Sequence, residues 1–235
     1  VVAMIIYTYY PAELKYYLNG KAELGCLCTL RRCRCLGEAT SKIFVDIGIA
    51  AAQSADHAVL KRYMSLINAA VRRGETYAVV PDVFCNVEKT AMNFRRYANA
   101  VRQRGAKTVL VLQRFHDALD AYRDVLYEAD VVALPANRQC SISCAEHPRL
   151  CAERISRALL LLVKDMGLRV HLLGPTVKVL KTLGPAIRDV YSFDKSSCNR
   201  APDADAEKES NTWFARDEET AVKFLLRCLE RANVL

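Results

Sequence analysis

The chain has 235 residues, of which 52% are hydrophobic and 26% charged, with a formal net charge of +8. This composition excludes a disordered chain, and the apolar runs are far shorter than the ~20 residues of a membrane span, so we predict a cytoplasmic protein without membrane contact. The excess of Lys and Arg indicates either a solvated surface or a polyanionic partner, of which nucleic acid is the best fit.

Short apolar runs alternate along the chain with longer amphipathic ones. Runs such as YAVV and VLVL are continuous and apolar, as expected of strands buried on both faces. The predicted strands are Ala3–Thr8, Lys42–Asp46, Tyr77–Pro81, Thr108–Gln113, Val131–Pro135, Arg169–Leu173 and Asp189–Phe193. The predicted helices are Ser54–Arg73, Val87–Arg104, His116–Glu128, Pro148–Met166, Thr176–Leu183 and Glu218–Ala232.

This alternation predicts an α/β fold built on a parallel sheet. Seven strands, with an eighth near Thr212–Ala215, favour a small and irregular (β/α)8 barrel of the TIM type over an open doubly wound sheet. We therefore interpret residues 1–235 as a single barrel domain. The absence of G-x-G-x-x-G and G-x-x-x-x-G-K motifs argues against dinucleotide and NTPase sites.

Polar residues follow several predicted strands at their carboxyl ends, where barrel enzymes carry their chemistry. Asp46, Asp82 and Asp194 occupy three of these positions, and Gln113 occupies a fourth. A single aspartate after a strand is more often a turn or N-cap residue than a reactive group. Three carboxylates on one face are costly unless they pair or react, so the sequence predicts a functional site there.

The order PDVF, VLQ, VALPA, HLLG and SFD resembles the tRNA-guanine transglycosylases and their relatives that insert 7-deazaguanines into DNA. The resemblance covers about Ile43 to Arg200, and RVHLLGPTVKVLKTLGPAIRDVYSFD is its most specific part. It implies an enzyme that exchanges guanine in tRNA or DNA for a 7-deazaguanine base such as preQ0 or preQ1. The chemistry that it implies requires no cofactor.

The resemblance also implies a role for each matching residue. Asp194 would attack the anomeric carbon of a guanosine and hold a covalent sugar intermediate. Asp46 would handle the proton of the leaving or incoming base. Asp82 would accept hydrogen bonds from the N–H groups of the guanine edge, and Gln113 would contact its carbonyl edge. The remaining contacts of the base pocket would come from Leu134, Pro135 and Gly174.

The sequence departs from the family pattern at several positions. DIGIA at Asp46 replaces D-S-G-G-F, Arg114 replaces a glycine after Gln113, and Pro135 interrupts G-L-A-V-G. KSSCNR follows Asp194, where the family continues differently and later carries a C-x-C-x-x-C zinc motif. The departures leave two alternatives open: a carboxylate- or metal-dependent barrel hydrolase, and a non-catalytic relative that binds nucleic acid.

A basic track leading to the barrel mouth is predicted to hold the phosphate backbone of the polymer. Its candidate residues are Arg114, Arg138, Lys195 and Arg200. The oligomeric state is left open, and a homodimer is one alternative.

The chain contains 10 cysteines, which is many for a cytosolic protein. Two clusters, CLCTLRRCRC and CSISCAEHPRLC, offer soft metal ligands, and a structural zinc in the first is one interpretation. Disulfides or free thiols are the alternative for both clusters. The ligands would be Cys26, Cys28, Cys33 and Cys35 in the first cluster, and Cys140, Cys144, His147 and Cys151 in the second. Isolated side chains are interpreted as structural: Cys85, Cys198, Cys228, His57, His116 and His171.

Overall fold

Eight parallel strands close into a barrel in the computed structural model, which describes residues 4–8, 23–31, 33, 35–37, 41–48, 56–194 and 230. The barrel strands are β1 (Ile5–Thr8), β2 (Glu23–Thr29), β3 (Lys42–Asp46), β4 (Glu75–Val79), β5 (Lys107–Val111), β6 (Val131–Pro135), β9 (Val170–Leu173) and β10 (Ser192–Asp194). Strand β10 pairs with β1, which closes the barrel. The fold is therefore a TIM-type (β/α)8 barrel, as the sequence predicted.

Helices connect the strands on the outside of the barrel. They are α1 (His57–Val71), α2 (Val87–Arg102), α3 (Arg123–Leu126), α4 (Pro148–Leu159) and α5 (Val177–Leu183). A short antiparallel hairpin of β7 (Arg138–Gln139) and β8 (Ile142–Ser143) follows β6. Side-chain caps fix three helix starts, because Asp56, Asn86 and Thr176 each accept a bond from the backbone N–H three residues later. No helix within the described ranges is long and apolar enough to cross a membrane.

The eighth strand is β2, which the sequence analysis did not predict. The predicted strand at Thr212–Ala215 lies outside the described residues, and the barrel closes without it. Within β2, Gly25 is required because a Cβ atom there would collide with the ring of Tyr7. The cysteines of ELGCLCT were interpreted as metal ligands, which obscured the strand pattern.

The predicted helix His116–Glu128 is also corrected. The segment forms a 3-10 turn at Leu119–Tyr122 and then the single-turn helix α3. Its geometry is set by the Tyr122 hydroxyl, which accepts from the Gln113 N–H at 2.9 Å and contacts the Gln113 carbonyl at 3.2 Å. These bonds hold the turn against the end of β5. The predicted helix Glu218–Ala232 lies outside the described residues, apart from the helical Glu230.

Strand alternation divides the apolar residues into two cores. The outer core packs between the strands and the helices. The inner core fills the barrel, where the rings of Tyr7, Phe44 and Tyr77 lie with the buried His171. Because side chains alternate, residues two positions beyond an inward-facing residue also point inward, at the next layer up. By this alternation, the side chains of Asp46 and Asp194 lie at the mouth of the barrel.

Candidate active site

A pocket of about 250 Å³ opens at the carboxyl ends of the barrel strands. Its walls combine apolar surfaces with polar groups from five of the eight strands or the loops that follow them. It is lined by Asp46, Val79, Asp82, Phe84, Val111, Gln113, Pro135, Asn137, Arg138, Leu173, Gly174 and Asp194. The structure thus brings together seven of the site residues that the sequence predicted.

One wall of the pocket holds a buried hydrogen-bonded pair. The Gln113 side-chain amide donates to the Asp82 carboxylate at 2.7 Å. The Gln113 amide oxygen accepts from the backbone N–H of Cys85 at 3.2 Å. Burial raises the pKa of Asp82, and the bond from Gln113 opposes that rise. The pair presents a desolvated carboxylate and one remaining amide N–H to the pocket.

The backbone on either side of this pair is in an uncommon conformation. Cys85 has a φ of 60° and Arg114 a φ of 53°, a left-handed region that non-glycine residues seldom occupy. Arg114 directly follows Gln113, and the amide of Cys85 contacts the Gln113 side chain. The fold therefore maintains two strained positions to orient Gln113, which is typical of functional sites.

The opposite wall holds Asp194, the last residue of β10. Its Oδ1 atom accepts from the backbone N–H of Gly174 at 2.8 Å and lies 3.2 Å from Nε2 of His171. Among the described residues, both hydrogen bonds found for this carboxylate use Oδ1. Asp194 also lines the pocket. Asp194 is thus a positioned group of the site rather than a turn residue.

His171 is a site residue that the sequence analysis missed. It is fully buried inside the barrel, and its Nδ1 lies 2.9 Å from the Ser192 hydroxyl. An ionised carboxylate only accepts, so a hydrogen bond between it and His171 places a proton on Nε2, and in the neutral ring Nδ1 then accepts from Ser192. The ring stacks on Phe44 with centroids 4.2 Å apart. The available signal was strand alternation, because His171 lies two residues before Leu173, a pocket residue of β9.

Asp46 completes the carboxylate set at the end of β3. Its Oδ1 accepts from the backbone N–H of Gly48 at 2.9 Å. Burial raises its pKa to about 7, even though the residue keeps part of its surface exposed at the pocket. The bond from Gly48 opposes this rise, and the neighbouring charges of Asp82 and Asp194 add to it. Asp46 can therefore both accept and release a proton near neutral pH.

Other predicted site residues lie elsewhere or outside the described part of the chain. Leu134 is fully buried in the outer core and does not line the pocket. Arg114 is exposed and pairs with Asp117 at 2.7 Å. Arg138 does line the pocket, with its guanidinium 5.5 Å from the ring centre of Phe84. Lys195 and Arg200 lie outside the described residues.

The cysteines that the structure describes are paired. Cys26 pairs with Cys35 and Cys28 with Cys33, which is the disulfide alternative for the first cluster. In the second cluster, Cys144 pairs with Cys151. Cys85 was interpreted as an isolated thiol, and this is corrected because it bonds to Cys140. The Cys85–Cys140 bridge joins the loop after β4 to the β7–β8 hairpin, and the Cys144–Cys151 bridge joins that hairpin to α4. The two bridges therefore hold two sides of the pocket.

Comparisons with known proteins identify no relative by sequence. No protein-family model matches the chain, and no curated protein matches it. Among solved structures, an HpcH/HpaI aldolase from Desulfitobacterium hafniense DCB-2 has 13% identity and a TM-score of 0.39, over 82% of this chain and 86% of that one.

Two structures of the carboxyl transferase domain of Rhizobium etli pyruvate carboxylase have 11% identity and TM-scores of 0.44 and 0.42. They align over 98% of this chain and 47% of their own, so the chain spans about half their length. Structural similarity at this level gives no information about the chemistry of the site.

Proposed function

We propose that the chain is a guanine transglycosylase that exchanges guanine in a nucleic acid for a 7-deazaguanine base such as preQ0 or preQ1. The observation that carries the proposal is the Asp82–Gln113 pair facing the same 250 Å³ pocket as Asp194 and Asp46. The pocket is small beside the roughly 300–1,000 Å³ of typical ligand sites, which suits one flat base.

The Asp82–Gln113 pair suits the Watson–Crick edge of guanine. That edge presents two adjacent donors, N1–H and N2–H, next to the O6 carbonyl. Asp82 would accept from the two donors, and the free N–H of Gln113 would donate to O6. In a buried site each bond to a charged group is worth about 1.5–3 kcal/mol, so the pair would select this pattern over other bases. Val79 and Val111 line the same pocket and would contact the face of the base.

Asp194 and Asp46 would carry the bond changes. An oxygen of Asp194 attacks C1′ of the guanosine, the C1′–N9 bond breaks, and the departing guanine takes a proton from Asp46. The incoming 7-deazaguanine then returns its N9 proton to Asp46 and attacks C1′, which releases Asp194. The two displacements retain the configuration at C1′. A pKa of about 7 keeps Asp46 available in both protonation states.

The conformation of Arg114 supports the resemblance at a position where the sequence departs from it. The family has a glycine after its glutamine, and here Arg114 adopts a φ of 53°, a conformation that favours glycine. The departure therefore replaces the side chain and keeps the backbone geometry that a glycine would supply. Its guanidinium is held by Asp117 on the surface, away from the base.

The metal-dependent hydrolase is less well supported by the same geometry. In the described part of the chain, only cysteines form a group of three metal-ligating side chains with ligand atoms within 4.8 Å of one another. The carboxylates of Asp46, Asp82 and Asp194 do not meet that limit. Their spacing therefore does not favour one ion shared by all three carboxylates.

The test is incubation of the protein with labelled guanine or labelled preQ0 and either tRNA or duplex DNA. Base exchange predicts that label enters one of the polymers, and that Asp194→Asn abolishes incorporation while the fold is kept. Incorporation by the Asp194→Asn variant equal to that of the parent would remove the covalent mechanism. Release of free base without incorporation would favour a hydrolase, and binding without either would favour the non-catalytic alternative.

A further inference from the structure

The outer face of β2 carries two cysteines that point in the same direction. Cys26 and Cys28 are two residues apart on the strand, so both side chains face the outer core while Leu27 faces the barrel interior. The chain then turns back and brings Cys33 and Cys35 to the same place. Cys26, Cys28 and Cys35 are completely buried.

Three of the four sulfur atoms form one cluster that spans both bridges, and the fourth is bonded to it. Sγ of Cys26 lies 3.4 Å from Sγ of Cys28, across the two disulfides. The sulfurs of Cys26, Cys28 and Cys35 all lie within 4.8 Å of one another, and the sulfur of Cys33 is bonded to that of Cys28. A tetrahedral zinc with Zn–S bonds of about 2.3 Å needs sulfurs roughly 3.8 Å apart. Once reduced, each bonded pair has to separate by roughly 1.8 Å to reach this geometry. The sulfur of Cys33, which is not within 4.8 Å of all the other three, has to move closer to them.

The other described cysteines show no such cluster. Cys85–Cys140 and Cys144–Cys151 are separate pairs, and no group of three ligands forms around either of them within the described ranges. Close approach of sulfurs from two different bridges is therefore a property of the first cluster and not a consequence of cysteine content.

Cationic side chains lie beside the cluster. A groove of about 420 Å³ next to it is lined by Cys33 and by Arg31, Lys61 and Arg62, with no acidic residue among the lining residues that the structure describes. A zinc ion bound by four thiolates carries a net charge of −2. Three neighbouring cations offset that charge, whereas a neutral pair of disulfides has no need of them.

We propose that Cys26, Cys28, Cys33 and Cys35 form a tetrathiolate zinc site when their two disulfides are reduced. A dithiol or phosphine reductant supplies two electrons to each disulfide, and two protons convert the products into a pair of thiols. Binding of Zn²⁺ to the four thiols then releases four protons. The site and the disulfides are alternative states of the same four residues.

The location gives the metal a structural role next to the mouth of the barrel. Strand β2 pairs with β3 in a register that sets Cys28 opposite Val45 and Thr29 opposite Asp46. Cross-linking the end of β2 to its following turn therefore fixes the strand beside Asp46. The proposal is independent of the base-exchange reaction, because it concerns the outer face of the strand.

Cobalt binding tests the proposal. The full chain is reduced with a phosphine, desalted under nitrogen and titrated with Co²⁺, a spectroscopic substitute for zinc. We expect visible absorption of tetrahedral cobalt with thiolate charge-transfer bands, saturation near one ion per chain, and loss of the bands on adding Zn²⁺. Cys28→Ser and Cys35→Ser should each lose the spectrum. The matched control, Cys85→Ser with Cys140→Ser, should retain it.

A second measurement does not depend on any variant being folded. The reduced parent protein is alkylated with and without Zn²⁺, and the protected cysteines are mapped by mass spectrometry. Protection of Cys26, Cys28, Cys33 and Cys35, but not of Cys140 or Cys144, is the expected result. Equal alkylation with and without zinc, or cobalt bands that survive in Cys28→Ser and Cys35→Ser, would overturn the proposal.

Discussion

The two ends of the barrel hold their carboxylates in opposite ways. At the amino ends of the strands, Glu23 pairs with Lys42 at 2.9 Å, and Glu75 pairs with Lys107. The bond from Lys107 is the main cause that lowers the pKa of Glu75. Each of these two acids is matched by a cation on the neighbouring strand.

At the carboxyl ends the acids have no such partners. Among the described residues, no lysine or arginine forms an ion pair with Asp46, Asp82 or Asp194, whose hydrogen bonds come from backbone N–H groups, an amide and a histidine. Burial raises the pKa of Asp46 and of Asp82. The same barrel therefore pairs two acids with cations at one end and, among the described residues, leaves three without cationic partners at the other, where TIM-barrel enzymes carry their active sites.

The largest expected effect is the loss of activity in Asp194→Asn at the mouth. Removal of a covalent nucleophile should lower the rate of base incorporation by at least about 1,000-fold, with the thermal melting temperature little changed. Glu75→Gln, at the opposite end, serves as the matched control and should keep full activity. Equal losses in the two variants would mean that the ends do not differ in function.

The next effect concerns base recognition. Asp82→Ala or Gln113→Ala should weaken binding of guanine by about 1–3 kcal/mol, which is roughly 5- to 150-fold in Kd. The physical reason is that a buried polar group of the base loses its partner. Calorimetric or fluorescence titration with free guanine would measure the change, and unaltered affinity in both variants would show that the base binds elsewhere.

Stability should depend on pH in opposite directions at the two ends. The folded-state pKa of Asp46, about 7, lies above the ordinary value of 3.8, so its contribution is favourable below about pH 4 and is lost as the pH rises through 7. Asp46→Asn should therefore be more stable than the parent at pH 8, by about 1–2 kcal/mol after allowance for its partial exposure, and no more stable at pH 4. Denaturant unfolding at the two pH values would measure this, and a pH-independent difference would contradict the assignment.

Charge at the mouth should also determine how binding of a polymer responds to salt. Arg138 lines the pocket, whereas Lys107 is paired at the other end. If Arg138 contacts a phosphate, Arg138→Gln should reduce the log–log salt slope by about 0.7–0.9, and Lys107→Gln should leave it unchanged. Filter-binding titrations with tRNA and DNA provide the measurement. A parent protein whose binding is independent of salt would argue against a nucleic-acid substrate.

The smallest effect is expected for Glu75→Gln in stability. The pKa of Glu75 is lowered, so its contribution is present above its ordinary value of 4.5 and is lost as the pH falls through the folded-state value. Because the ion pair with Lys107 is more than one-third exposed, the variant should lose only about 0.5–1 kcal/mol at pH 7. That difference should disappear in acid, which is the reverse of the behaviour expected for Asp46→Asn.

The sequence by itself determined the parts of the molecule that depend on local pattern. Continuous apolar runs gave β3 and β6 with their observed limits, and the strand ends identified Asp46, Gln113 and Asp194. The strand limits and the position of these three residues at one pocket were predicted correctly because strand burial and side-chain alternation act over a few neighbouring residues.

Only the tertiary structure decided which distant residues meet. Strand β2 was not predicted because the side chains on its outward face include cysteines. The glycine at position 25 is explained only by the ring of Tyr7 on the neighbouring strand. His171 joins the site because barrel closure brings β9 beside β10, so that its ring reaches Asp194. The pairing of Cys85 with Cys140 spans 55 residues, and such a separation leaves no local pattern to read. Long-range contacts of this kind arise from the closure of the barrel, and no short window of sequence records them.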